Sequence, residues 1–234
     1  LASALARSSN IYFYLVGGGL PKSLPLSSLS RGFDGFGLGI ERLRTYWQKF
    51  GFGAKTGVDL PFENAGFLPA PDEKQERTGE IWRLGDTYNV SIGQGDLLTT
   101  PLQLLNYIAS IANKGFIYEP HIAQQSPKLL TVLPEFKEIF SEVEKGMIDA
   151  VKKPYGTAYS LNDLSFTTAA KTGSAQIQNN TKVNAFFVGY GPVPNPQIAI
   201  LILVEDAKEG SLNAVPIAKE VLSWYYENRV KTKQ

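Results

Sequence analysis

The chain has 234 residues, of which 43% are hydrophobic and 19% charged, and its formal net charge is +1. This composition is typical of a globular protein, and the charge gives no sign of a nucleic-acid-binding surface. There is no cysteine, and His121 is the only histidine, so disulfides and thiolate metal sites are excluded and a His-based triad or zinc site is not expected. No apolar run reaches about 18 residues, so no transmembrane helix is predicted.

The first part of the chain has helical periodicity. Residues 1–15 predict a short apolar helix that is interrupted at Ser8-Ser9-Asn10. Residues 17–39 are rich in Gly, Ser, Pro and Leu and predict a loop or insertion. A further helix is predicted from the apolar residues at helical spacing between Ile40 and Phe50, with Gly51 ending it.

Two more helices are predicted before the last third of the chain. Residues 53–81 are rich in Pro, Gly and charge, and we expect them to cover the surface without regular structure. Thr100-Pro101-Leu102-Gln103 is a capping box with proline at the first helical position, and the helix that it begins should end at Lys114-Gly115. Residues 136–151 have the apolar stripe of an amphipathic helix.

In the last third the periodicity changes to that of strands, predicted at 166–177, 183–190 and 197–205. Positions 198–204 are all apolar, which is typical of a strand covered on both faces. The short connections predict antiparallel hairpins. A final helix should bury the stripe formed by Ala214, Ile217, Ala218, Val221, Leu222 and Tyr225. Helices followed by an antiparallel sheet and a closing helix predict an α+β fold.

Lys171-Thr172-Gly173 has the chemistry of an acyl-transfer site. On a strand beside a cleft, Lys171 would direct positive charge toward a proton relay, and Thr172 would offer its hydroxyl to a substrate carboxylate. Gly173 would let the substrate approach the backbone, and the N–H group of Ser174 could stabilise an oxyanion. Alone, the tripeptide also fits an ordinary exposed strand.

Ser8-Ser9-Asn10 places three polar residues inside an apolar helical stretch. Such a sequence commonly caps a helix or forms a turn. The functional interpretation assigns proton relay to the Ser8 hydroxyl and substrate binding to the Asn10 amide, with Ser9 facing away. With the Lys-Thr-Gly motif, it gives two of the three signatures of penicillin-recognising serine acyl-transferases. The third, Ser-x-x-Lys, is absent, because no lysine here has a serine three residues before it.

These motifs resemble those of the transpeptidase domain of class B penicillin-binding proteins, most closely the elongation type. The resemblance extends in order along the chain, through segments such as 50–61, 89–103, 112–122 and 187–190. It implies a β-lactamase-like fold, in which residues 1–234 are the C-terminal part of one transpeptidase domain. Residues 1–165 would be the mainly helical part with the second motif, and residues 166–234 would hold the strands and terminal helix.

The resemblance also implies a serine D,D-transpeptidase that cross-links peptidoglycan stem peptides and is acylated by β-lactams. Ser8, Asn10 and Lys171 would be catalytic, and substrate or β-lactam would contact Thr172, Gly173, Ser174 and Gln176. No cofactor or metal is implied. The chain begins with Leu1, so we interpret it as the later part of a longer polypeptide. An N-terminal companion segment would then carry Ser-x-x-Lys, two further strands and a membrane anchor, and the chain alone would be inactive.

Further expectations follow from the same resemblance, and some alternatives stay open. The implied location is the periplasmic face of the inner membrane, with a glycan polymerase of the elongation machinery as a possible partner. Ser174 stands where relatives commonly have Thr, and it keeps the hydroxyl. A penicillin-sensing receptor or a β-lactamase of the same fold, or an inactive scaffold, would share parts of this pattern. A lactamase would need a carboxylate or modified lysine to position water, and no Glu in this chain has that context.

Overall fold

The computed structural model of the protein describes residues 1–21, 36–177 and 181–231. The chain forms two compact units. The first contains residues 1–8, 57–60 and 101–234, and the second contains residues 9–56 and 61–100. None of the helices in the described ranges is both long enough and apolar enough to cross a membrane. The sequence-based interpretation of a single transpeptidase domain, divided at residue 165, stays a prediction.

The second unit is helical, with α2 (Asn10–Gly18), α3 (Gly39–Lys49), α4 (Pro71–Thr78) and α5 (Leu84–Ser91). Helices α2 and α5 approach closely at Gly17, where a Cβ atom would lie 1.8 Å from the Ser91 Oγ. The predicted helix after residue 39 is confirmed. Most of the predicted 17–39 loop, residues 22–35, lies outside the described residues.

Helix α4 contradicts the expectation that residues 53–81 lack regular structure. It begins with Pro71, has acidic residues in its first turn, and ends at Gly79 in the left-handed conformation. Each of these features is a helix-boundary signal. The segment has almost no apolar stripe, and the prediction relied on that stripe.

The helices of the first unit are α1 (Ala2–Ala6), α6 (Pro101–Ala112), α7 (Lys137–Lys152) and α8 (Gly210–Tyr225), with a π-helical turn at Tyr226–Val230. The capping-box helix, the amphipathic helix and the terminal helix are therefore confirmed. Helix α1 packs tightly on α7, because a Cβ atom on Gly146 would lie only 2.8 Å from the Leu5 side chain. This close packing fixes the chain just before Ser8.

The three predicted strands are confirmed as β3 (Ala169–Ile177), β4 (Lys182–Gly191) and β5 (Ile198–Val204). They form one antiparallel sheet in the order β3-β4-β5, in which Lys171 pairs with Val188 and Thr172 with Phe187. A second, two-stranded antiparallel sheet consists of β1 (Phe116–Tyr118) and β2 (Leu129–Val132). The sequence does not predict this sheet, since both strands are too short for a clear alternation.

Helices cover both faces of the three-stranded sheet. Phe187 and Ile200 lie in one buried cluster with residues of α8. Tyr190 is three residues further along β4 than Phe187 and so projects to the opposite face. There its hydroxyl donates a 2.8 Å hydrogen bond to Glu144 of α7. The predicted α+β architecture, an antiparallel sheet flanked by helices, is confirmed.

Two packing expectations were met only in part. Strand β5 contacts both α6 and α8, but only Ile200 is buried and the other six residues are partly exposed. In α8, Ala214, Ala218 and Leu222 are fully buried as expected, whereas Ile217 is 43% and Val221 38% exposed. The buried stripe of α8 is therefore narrower than apolarity alone suggests.

Candidate active site

Ser8 lies directly after α1 in a conformation that its sequence does not favour. Its φ angle is +53°, in the left-handed region that residues other than glycine rarely adopt. Two backbone hydrogen bonds hold this end of α1. Ser8 N donates to Leu5 O at 3.1 Å, and Thr157 N donates to Ala6 O at 3.2 Å. Unfavourable backbone conformations persist where the surroundings enforce them, and they cluster at functional sites.

The Lys171 ammonium joins the two predicted motifs. Its Nζ donates a 2.7 Å hydrogen bond to the Ser8 Oγ, across 163 residues of sequence, and a second hydrogen bond to the Thr172 carbonyl. Both acceptors are neutral, and Lys171 forms no ion pair with any residue in the described ranges. Burial lowers the pKa of Lys171 from 10.5 to about 8, because a cation without a counter-charge is poorly solvated there.

Thr172 is buried, with only 7% of its surface exposed. Its hydroxyl donates a 2.7 Å hydrogen bond to the Thr157 Oγ1. Thr157 lies in the turn after α7 and is half-buried. The hydroxyl that was assigned to the substrate carboxylate is thus hydrogen-bonded within the protein.

The other predicted binding residues continue along β3. Gly173 is half-buried, whereas Ser174 and Gln176 are exposed. The Ser174 Oγ accepts a 3.3 Å hydrogen bond from the N–H group of Gly210, the first residue of α8. A Cβ atom on Gly210 would lie 2.6 Å from the Gly173 carbonyl. The start of α8 therefore packs against the backbone of this motif and limits its movement.

Ser9 and Asn10 belong to the second unit. Ser9 is the N-cap of α2, and its Oγ accepts a 3.4 Å hydrogen bond from Tyr12 N, so it has a structural role. Asn10 is the first residue of α2 and is exposed. The first unit brings together Ser8, Lys171 and Thr172, while substrate binding by Asn10 stays a prediction.

Sequence reasoning missed Thr157. It lies in no recognised motif, and only the folded structure places its hydroxyl beside Thr172. The turn after α7, which contains Thr157, is basic. The Arg7 guanidinium lies 3.9 Å from the centre of the Tyr155 ring in this turn, and this contact ties the turn to the end of α1. Within the described part of the chain, no group of three or more His, Asp or Glu residues could hold a metal ion.

Comparison with known proteins supports the acyl-transfer interpretation of the motifs at Ser8 and Lys171. Residues 1–223 match the family described as "Penicillin binding protein transpeptidase domain". Peptidoglycan D,D-transpeptidase MrdA of Haemophilus influenzae is 30% identical over 98% of this chain and 37% of its own length. The chain thus spans little more than a third of that relative.

Several solved structures are also similar to this chain. Penicillin-binding protein PBP2 from Helicobacter pylori gives a TM-score of 0.82 at 33% identity, over 98% of this chain and 40% of its own. The same protein in complex with MreC gives a TM-score of 0.80 at 32% identity, again over 98% and 40%. A structure titled "Structural coordination of polymerization and crosslinking by a peptidoglycan synthase complex" gives 0.76 at 27%, over 97% and 37%.

Proposed function

This chain belongs to the family of penicillin-binding protein transpeptidase domains, and from that premise we propose that it forms part of a PBP2-type peptidoglycan D,D-transpeptidase. The observation that carries the proposal is the 2.7 Å hydrogen bond from Lys171 Nζ to Ser8 Oγ. It joins two motifs that are distant in sequence and places a cation of lowered pKa beside a hydroxyl. Such an arrangement suits proton transfer where no histidine takes part.

In the proposed reaction, a serine oxygen attacks the carbonyl of the penultimate D-Ala of a stem peptide. The ester forms as the peptide bond breaks, and the terminal D-Ala leaves as an amine that needs a proton. The lysine of the Ser-x-x-Lys segment takes the proton of the attacking serine, and that proton passes through the Ser8 hydroxyl to the leaving amine, so Ser8 gives up one proton and receives another. The Lys171 ammonium stabilises the negative charge that develops transiently on the Ser8 oxygen. The amine of a second stem peptide then attacks the ester and loses a proton to the same relay, which returns one to the released serine oxygen.

The nucleophilic serine belongs to a segment outside this chain, because the chain contains no Ser-x-x-Lys. We call this chain together with that segment the assembled transpeptidase. Asn10 binds the substrate backbone, and Thr172, Gly173, Ser174 and Gln176 form the substrate side of β3. β-Lactams acylate the same serine. The partly exposed edge of β5 offers unpaired backbone groups to the strands of the companion segment.

The proposed location is extracytoplasmic, at the periplasmic face of the inner membrane, with the anchor in the companion segment. The relatives named D,D-transpeptidase MrdA act on peptidoglycan, as their name states. The similar synthase complex couples polymerisation to cross-linking, as its title states, which supports a glycan polymerase as partner. The PBP2 of Helicobacter pylori forms a complex with MreC, so a protein of that kind is a second candidate.

The adjacent residues Ser8 and Ser9 provide a matched pair of variants that tests the proposed role of Ser8. Ser8→Ala removes the hydroxyl that Lys171 contacts, whereas Ser9→Ala removes only the cap of α2, which costs about 1 kcal/mol. In the assembled transpeptidase we expect Ser8→Ala to slow labelling by a fluorescent penicillin by about 100-fold or more, and Ser9→Ala to preserve it. Equal rates for the two variants would contradict the proposed role of Ser8.

The position of the label tests the nucleophile separately. After labelling, the polypeptides are separated under denaturing conditions and the modified residue is identified by peptide mass spectrometry. We expect the label on the companion segment. A labelled serine within this chain would refute the assignment of the nucleophile, and an unlabelled assembled transpeptidase would refute the proposed function itself.

A further inference from the structure

The end of α1 depends on contacts from outside the helix. Helix α1 has five residues, and a helix of that length is not stable by itself in water. Ser8, the second residue after it, has a φ angle of +53°, which residues other than glycine rarely adopt. Neighbouring parts of the fold must therefore hold the backbone that carries the Ser8 hydroxyl.

The turn after α7 supplies two such contacts. The Tyr155 ring lies against the Arg7 guanidinium, with 3.9 Å between the ring centre and the guanidinium carbon. Thr157 N donates a 3.2 Å hydrogen bond to Ala6 O. Ala6 and Arg7 are the two residues before Ser8, so both contacts act on the backbone that leads directly into it.

The same turn also contacts the strand that holds Lys171. The hydroxyls of Thr157 and Thr172 are hydrogen-bonded at 2.7 Å, and Thr172 is the residue after Lys171. The turn packs closely on α7, because a Cβ atom on Gly156 would lie 2.2 Å from the Ala150 carbonyl oxygen. A rigid turn that touches the neighbours of both groups can set the distance between them.

We propose that Tyr155 is a positioning residue for the Ser8 hydroxyl and that it acts through Arg7. The inference rests on the proposed function and adds a residue that lies outside the sequence motifs. A guanidinium is attracted to the face of an aromatic ring, so this contact draws the end of α1 toward the turn. Without it, the backbone at Ser8 can relax toward a commoner conformation, which moves the Ser8 oxygen away from Lys171. Proton transfer needs these groups in register, so the reaction slows.

The exposure of the two side chains favours a local role for their contact. Tyr155 is 37% exposed, and Arg7 is exposed as well, so neither side chain fills the core. No carboxylate pairs with Arg7 among the residues that the structure describes, which leaves the Tyr155 ring to orient its guanidinium. Replacing either residue should therefore shift Ser8 without unfolding the protein.

The rate of acylation tests this role in the assembled transpeptidase. Measured over a range of concentrations of a chromogenic cephalosporin, it separates binding from the chemical step. We expect Tyr155→Leu to lower the acylation rate constant by about tenfold or more and to change the half-saturating concentration by less than about twofold. Tyr155→Phe keeps the ring face and should keep the natural rate constant.

A double-mutant cycle tests whether Tyr155 acts through Arg7. Arg7→Met should match Tyr155→Leu, and the double variant should be no slower than either, because both changes remove one contact. Trp224→Leu is a matched control, since it removes the ring near Arg229 in the same unit, and it should leave the rate constant unchanged. An unchanged rate constant in Tyr155→Leu, an equal loss in Tyr155→Phe, or additive losses in the double variant would each overturn the inference.

NMR of this chain alone gives a readout that needs no activity. The coupling between the amide and α protons of Ser8, together with its Cα chemical shift, reports its φ angle. We expect Tyr155→Leu to change both signals and Tyr155→Phe to keep them. Unchanged Ser8 signals in Tyr155→Leu would overturn the positioning role. Changed signals, in a transpeptidase that penicillin does not label, would refute the proposed function and still support the placement of Ser8 by Tyr155.

Discussion

Lys74 in the second unit and Lys171 in the first are both shielded from solvent at least in part, and they differ in their partners. In the second unit, Lys74 is 8% exposed and pairs with Asp86 at 2.9 Å and with Glu80 at 3.5 Å. In the first unit, the Lys171 ammonium donates hydrogen bonds to the Ser8 hydroxyl and the Thr172 carbonyl, and it has no carboxylate partner among the described residues. Lys74 therefore has counter-charges beside it, whereas Lys171 has none among the described residues.

The pKa of each lysine depends on whether a carboxylate lies beside it. The hydrogen bond to Asp86 raises the pKa of Lys74, and burial without a carboxylate lowers that of Lys171 to about 8. For Asp86, burial is the largest single influence and raises the pKa, but the hydrogen bonds from Lys74 and from the Arg83 backbone, together with the charges of both residues, lower the pKa overall. An ion pair of this kind keeps both groups charged at neutral pH, which suits a structural role. An unpaired lysine near its pKa suits proton transfer.

The largest contrast should be in activity. Lys171→Met should slow penicillin acylation of the assembled transpeptidase by about 10²- to 10⁴-fold, since the positive charge beside Ser8 is lost. Lys74→Met makes the same chemical change in the other unit and should leave the acylation rate of folded protein within about twofold of the natural rate. Stopped-flow measurement with a chromogenic cephalosporin would compare them. Equal losses in both variants would remove the functional distinction.

The two lysines should also differ in what they contribute to stability, and here the loss should come from replacing Lys74. Lys74→Met removes the hydrogen bond to Asp86 and the ion pair with Glu80, and it leaves Asp86 without its cation. Because hydrogen bonds to charged groups contribute about 1.5–3 kcal/mol, we expect a loss of that order in the free energy of unfolding. Urea denaturation at pH 7 measures it, with Lys153→Met at an exposed position as control. A Lys74→Met chain as stable as the natural one would show that this ion pair has no net structural value.

The pH dependence of acylation tests whether the charge on Lys171 is the active feature. If the ammonium is required, the rate should fall as pH rises through about 8, and should be about tenfold lower one pH unit above that value. Lys171→Arg, whose guanidinium stays protonated beyond about pH 12, should be slower but have no such fall. A natural rate that rises through pH 8 would instead identify neutral Lys171 as a base.

The sequence predicted much of this site because its signals are local. The helices from Pro101 and Gly210 and the strand from Ala169 were found from caps and periodicity, and the motifs at Ser8 and Lys171 from residue types and spacing. The environment of Lys171 was not predictable, because the lack of a nearby carboxylate is a property of packing. Thr157 was missed for the same reason, since its partner Thr172 becomes a neighbour only when the turn after α7 folds against β3.

The smallest expected effect is on the stability contributed by Lys171. The pKa of this lysine is about 8 in the fold instead of 10.5, and this difference lowers the free energy of unfolding by about 3 kcal/mol at pH 7 and by about 1 kcal/mol at pH 9.5. The unfolded chain binds the proton more tightly between those two pKa values, so this contribution makes the natural protein more stable as pH rises through that window. Replacing Lys171 by Met also loses two hydrogen bonds, together about 2 kcal/mol.

The stability of the natural chain relative to Lys171→Met should therefore rise by about 2 kcal/mol between pH 7 and pH 9.5. Urea denaturation of both chains at the two pH values measures this rise, and Lys153→Met shows whether any lysine gives it. A constant difference would mean that the Lys171 pKa is not lowered in the fold. The expected rise would mean that the protein tolerates a destabilising lysine at the position where the proposed reaction needs a proton-transferring group.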